Sequence, residues 1–135
     1  MSLTGDIKDL LEADTALMAI LTGGVHDAVE ISRQLTPGAF DANNEIKPCA
    51  LVKTGTETAV HNKISAMQTS LTIYFYQRTG YTVIDVALAR VLAILNLYHA
   101  VNIWEIEFNN EIARSTDDAL ASSLAVQRYD VIRKR

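Results

Sequence analysis

The chain has 135 residues, 49% of them hydrophobic and 21% charged, which is enough for one domain with a real core and too few for two comfortable ones. Its formal charge of −4 argues against nonspecific nucleic-acid binding, and its one cysteine, Cys49, excludes an intramolecular disulfide. No apolar run approaches the ~20 residues that cross a bilayer, and the opening Met1-Ser2-Leu3-Thr4-Gly5-Asp6 lacks the basic and apolar regions of a signal peptide, so a soluble cytoplasmic product, or a part of something assembled there, is expected.

Taken in order, Thr4 can cap a first helix whose apolar stripe is Ile7, Leu10, Leu11, Leu17, Met18 and Leu21. Asp14 interrupts that stripe and reads as the cap of a second short helix, Thr15–Leu21, with a kink between the two. Gly23-Gly24 ends the helical region, and Val25–Ile31 reads as a short edge strand. From residue 32 to 47 periodicity is lost around Pro37-Gly38 and Asn43-Asn44, with Leu35, Phe40 and Ile46 the main apolar residues; a loop this long is often functional or mobile. Pro48 can open a strand, predicted over Cys49–Thr58. His61-Asn62-Lys63 marks the return to an antiparallel partner over Met67–Tyr76.

In that partner Met67, Thr69, Leu71, Ile73 and Phe75 alternate with Gln68, Ser70, Thr72, Tyr74 and Tyr76, the period of a half-buried strand. Arg78-Thr79-Gly80 breaks it, and Thr82 with Asp85 fits a variant capping box. A long helix follows with Ile84, Leu88, Val91, Leu95 and Tyr98 as its core stripe and Val86, Ala89, Ala93 and Leu97 on the back. A helix apolar on two faces is covered on both, by the first helix or by a neighbouring subunit. Ala100–Phe108 alternates again, Trp104, Ile106 and Phe108 against Glu105 and Glu107. Asn109-Asn110 weakens that strand, Ser115–Asp118 makes a turn, and Leu120–Ile132 is the last strand before a basic tail, Arg133-Lys134-Arg135. The predicted fold is α+β: an antiparallel sheet of about four to five strands, with an N-terminal helix and a long central helix packed on one face.

Site chemistry is thin. His26, His61 and His99 lack ligand spacing. Glu105 and Glu107 share a strand face, which reads first as the solvent face of an amphipathic strand. Cys49 has no neighbouring base and reads as a small buried residue. No GxGxxG, P-loop or GxSxG motif occurs, and Gly23-Gly24 precedes no helix that would cradle phosphate. Arg128, Arg133, Lys134 and Arg135 form the one basic cluster, ordinarily a solvated tail. Tyr74, Tyr76 and Tyr81 near the strand–helix turn fit either a protein contact or partial burial at the sheet edge.

Three stretches carry a family resemblance. Leu10-Leu11-Glu12-Ala13-Asp14-Thr15-Ala16-Leu17 runs into Gly23-Gly24-Val25-His26-Asp27. Thr69–Tyr76 leads through Gly80-Tyr81 to the long helix, and Ser123–Ile132 precedes a short tail. With these the chain resembles the bacteriophage tail-completion proteins, or tail terminators, over nearly its whole length, as a single domain of residues 1–135. Its 32–47 loop departs from the shortest family members. The resemblance implies a structural virion protein at the tail neck that caps the tail tube as a ring, typically of about six subunits, and meets the head-side connector. The implied partners are further copies, the tail-tube protein and the connector or stopper, with no membrane, specific nucleic acid, cofactor, metal or catalytic residue. The candidate contact residues are Val86, Ala89, Ala93, Leu97, Tyr74, Tyr76, Tyr81, Phe40, Arg133, Lys134 and Arg135. Two other readings stay open: a small cytoplasmic adaptor or regulator that dimerises through its sheet, and an enzyme with an intersubunit site using His26, Glu105 or Glu107.

Overall fold

The computed structural model describes residues 3–59 and 66–134. Met1-Ser2, the connection at His61-Asn62-Lys63 and Arg135 of the basic tail lie outside the described residues. In chain order the elements are helices α1 (Leu3–Glu12) and α2 (Thr15–Ile20), strands β1 (Val25–His26), β2 (Cys49–Thr54), β3 (Thr58–Ala59) and β4 (Ala66–Gln77), helix α3 (Thr82–Leu95), and strands β5 (Ile103–Asp117) and β6 (Ser122–Lys134). The strands form one sheet in the order β1-β2-β4-β6-β5, with β3 pairing beside β4.

This corrects the predicted fold class. The sheet has six strands and is mixed rather than antiparallel, because β1 joins β2 in parallel through Val25↔Ala50 and His26↔Leu51. Gly23 makes that approach possible: its N–H donates to Pro48 C=O at 2.7 Å. A Cβ there would lie 2.9 Å from both the Pro48 oxygen and the Cys49 Cβ, so any other residue collides with the incoming strand. Three short helices replace the expected arrangement, and the long central helix is absent. In its place α3 has 14 residues, about 21 Å.

The apolar stripe continues past the helix end, but the backbone does not. Asn96 turns extended (φ −64°, ψ 125°) and Leu97 enters the left-handed region at φ 63°. There the Leu97 N–H donates to Ile106 C=O at 2.7 Å, and the Asn96 side-chain oxygen accepts from Phe108 N–H at 3.1 Å. Strand β5 thus takes the backbone groups that another helical turn would need. The helix start also differs from the expected capping box. Tyr81 is the cap residue and makes no side-chain bond there. The Gln77 side chain reaches back instead, its oxygen accepting from Val83 and Ile84 N–H at 2.9 and 3.1 Å. Asn109-Asn110 does not end β5. A bulge between Phe108 and Asn110 absorbs the extra residue, and β6 keeps the ladder going to Asp117.

The core lies between the sheet and the three helices. Leu71, Ile73 and Phe75 of β4, with Ala50, Val52, Ala125, Tyr129 and Val131 from its neighbours, meet Ile7, Leu11, Leu17, Ile84, Leu88, Val91 and Leu95. The 31–46 segment crosses the opposite sheet face and builds a second, smaller core: Ile31, Ala39, Phe40 and Ile46 bury Cys49, Leu51 and Tyr76.

Asp14 caps α2 as predicted, accepting from Leu17 N–H at 2.9 Å. Its other oxygen accepts from Arg90 Nε at 3.0 Å and Nη2 at 2.6 Å, tying α2 to α3. The Arg90 guanidinium, helped by the Leu17 N–H, holds the Asp14 carboxyl below the usual carboxylate range. A folded-state pKa below the unfolded one gives stability that is fully present above the unfolded value, about pH 4, and lost as pH falls through the folded value. Asparagine keeps the cap and removes the charge. Asp14→Asn is therefore expected to melt a few degrees lower at neutral pH, with the difference closing in acid. Thermal melts of both proteins from neutral pH into acid check this; a constant gap would show that the charge is not responsible.

Candidate contact surface

The back of α3 is open. Val86 is 53% and Leu97 64% exposed, with Ala89 and Ala93 exposed between them. Among the described residues, six of the eight exposed large apolar side chains fall in this part of the chain: Val86, Leu97, Val101, Trp104, Phe108 and Ile112, with Val29 and Leu35 elsewhere. Trp104 is exposed while Ile106 is fully buried, and a register shift between Ile103 and Glu105 leaves Trp104 without a ladder partner. They do not all share one face: Phe108 pairs with the helix-side core residue Tyr129, whereas Ile112 pairs with Val126 on the other face, so the bare back of α3 with the helix side of β5 is the candidate contact surface.

Ion pairs frame this surface. Arg114 grips Asp85 through both guanidinium nitrogens (2.7 and 2.9 Å) and lies 4.4 Å over the Tyr81 ring. This pairing holds the Asp85 carboxyl below its ordinary range. The Tyr81 hydroxyl donates to Ser115 C=O. Between α3 and β5 runs a groove of about 290 Å³ lined by Asp85, Leu88, Ala89, Leu92, Glu111 and Ala113.

The structure divides the predicted contact residues. Val86, Ala89 and Ala93 share the exposed back of α3, Leu97 lies past the helix end in a left-handed turn, and Tyr81 is half-buried at the helix start. Tyr76 and Phe40 are buried on the opposite sheet face, in the second core with half-buried Tyr74 packed against it. Arg33 stacks 4.9 Å over the Phe40 ring. The described part of the basic tail continues β6. Arg133 pairs with Glu57, its Nε donating at 2.9 Å, and Lys134 N–H donates to Asn102 C=O at 3.0 Å.

Residues considered for chemistry stay apart. His26, on β1, lies within 2.7 Å of Gly23 C=O through Nε2. Glu105 and Glu107, on β5, lie at the other end of the strand order. His99 is exposed, and His61 lies outside the described residues. Burial pushes the Cys49 thiol up to about 12, so it stays protonated and unreactive. Among the described residues no group of three or more His, Cys, Asp and Glu side chains is placed to hold a metal ion. No described helix is long and apolar enough to cross a membrane. Sequence reasoning missed Gln127, fully buried at the heart of β6; a lone glutamine within an apolar strand was the available signal.

No protein-family model matches the chain, and no curated protein matches it in sequence. A solved structure does match in fold. The chain resembles one from the virion of a native gene transfer agent particle. The two superpose with a TM-score of 0.68 at 17% sequence identity, over 99% of this chain and 96% of the other. At that identity the likeness establishes a shared fold across the whole length of both chains.

Proposed function

We propose that this protein is a structural component of a phage-like virion, one that closes the tail tube as a ring at the neck and meets the head-side connector. The observation that carries the reading is the fold likeness to a virion chain over 99% of this sequence. The exposed apolar residues on α3 and β5 support it, since a virion subunit must offer its neighbouring chains a contact surface. A ring uses two different patches per subunit and closes when the rotation divides a full turn. The role requires no catalysis, cofactor or metal. The other partners in this reading are the tail-tube protein and the connector.

The dimeric adaptor is disfavoured by one feature. An antiparallel two-fold pairing of β5 with its copy would bring the exposed acids of this edge, Glu105, Glu107 and Glu111, close to the copy's own set, and like charges near one another destabilise a sheet. Electron microscopy of virions tests the proposal. Density for this chain as a ring of about six copies at the head-proximal end of the tube is expected. A symmetric dimer free in the cytoplasm and absent from virions would overturn it.

A further inference from the structure

Strand β5 is the long edge of the sheet, and its protection is uneven. Near one end Leu97 N–H and the Asn96 side chain occupy the outward groups of Ile106 and Phe108. Near the other the Tyr81 hydroxyl occupies Ser115 C=O. Along an antiparallel edge every second residue turns its N–H and C=O away from the partner. Carried across the bulge, the register puts Glu111 and Ala113 in that outward role. Among the described residues no hydrogen bond closes their backbone groups on the open side. An unguarded edge is a template for another strand.

The surroundings suit such a strand. The groove beside Glu111 and Ala113 is floored by Leu88, Ala89 and Leu92, so alternate side chains of an added strand would fall onto apolar surface. Exposed Val86 extends that surface on the helix side. The rim is acidic. Glu111 is exposed on the groove side and Glu105 and Glu107 on the other face of the strand; of the cations beside them Arg114 is held by Asp85, and exposed Arg128 stands across from Asn110.

We infer that the open middle of β5, residues 109–114, takes up an extended segment of a different protein as an added strand, with apolar side chains in the α3 groove and Lys or Arg against the acidic rim. Backbone bonds supply affinity in this mode and the groove supplies selectivity. The inference shares with the ring reading only the premise that the protein works by contact with other chains, and its failure leaves that reading standing.

The test uses the isotope-labelled full-length protein and two short synthetic peptides, one alternating valine with lysine and one alternating valine with glutamate. The Val/Lys peptide is expected to shift and slow the exchange of the amides of residues 109–114, and the Val/Glu peptide is not. Ala113→Pro removes one outward N–H at an edge position where proline is tolerated. Ala89→Lys places a bulky cation in the groove on an exposed helix position. Each is expected to keep the fold and weaken Val/Lys binding by roughly tenfold or more, the loss of about one hydrogen bond's worth of affinity. No shift with either peptide, shifts elsewhere, or undiminished binding in both variants would overturn the inference. So would self-association in sedimentation that alters the amides of 109–114 without peptide, since a second copy would then hold the edge.

Discussion

Replacing Phe75 with alanine is expected to cost about 3–5 kcal/mol, the range for truncating a buried aromatic. Phe75 is fully buried in the central strand β4, and its cross-strand neighbours are both small, Ala50 on β2 and Ala125 on β6. The ring therefore fills the space above three strands, and no large neighbour on the flanking strands can swing in to close the hole. Domains of this kind are stable by about 5–15 kcal/mol, so this one change removes a large share. Val86→Ala, on the exposed back of α3, is expected to stay within about 0.5 kcal/mol. Urea unfolding with an unchanged m-value measures both. A loss for Phe75→Ala no larger than that for Val86→Ala would show that the strand register is wrong.

Gln127→Ala is expected to be nearly as damaging, at roughly 3 kcal/mol or more, because it combines a cavity with stranded polar groups. The Gln127 amide donates to Leu88 C=O at 3.0 Å and to the Glu111 carboxylate at 2.9 Å. Its oxygen accepts from the Tyr129 hydroxyl at 2.6 Å. This chain of bonds joins β6 to α3 and β5 inside the core. Burial, reinforced by the Glu111 charge, pushes the Tyr129 hydroxyl's pKa up, so it remains a donor throughout the ordinary pH range. Truncating Gln127 leaves that hydroxyl without its acceptor in a place water does not reach. Gln127→Leu restores most of the volume but not the acceptor. Adding Tyr129→Phe to Gln127→Leu should therefore recover stability, with a coupling of roughly 1–3 kcal/mol in the double-mutant cycle. Additive losses would show that the bond contributes nothing beyond packing.

Periodic stretches were readable without coordinates. Leu71, Ile73 and Phe75 at spacing two, and Ile84, Leu88, Val91 and Leu95 at helical spacing, all reach the core, because a side chain's face follows from backbone geometry alone. Asp14 was readable as a cap because an aspartate inside an apolar stripe has no other good use. The sheet's mixed character was not readable. Strand β1 has two residues, too few to show a period, and its direction depends on Gly23 admitting the Pro48 carbonyl. Phe40 and Ile46 looked like loop residues, since nothing local says that a segment without periodicity will lie across a sheet and bury Tyr76.

The amino-acid sequence by itself determined which residues of β4 and α3 turn inward and where α2 begins, because those choices rest on chain geometry within a few residues. Only the tertiary structure decided where α3 stops, how β5 passes Asn109, and which apolar residues are left outside. Each depends on a distant group claiming a backbone N–H or C=O: Ile106 takes Leu97, and β6 carries β5 through its bulge. The contact surface is made of what those claims leave over. Val86, Ala89 and Ala93 stay bare because β5 meets the edge of α3 rather than its back, and Glu111 and Ala113 stay open because Asn96 and Tyr81 reach only their neighbours on either side. Unclaimed backbone and uncovered apolar surface are remainders of the whole fold, and no local pattern encodes a remainder.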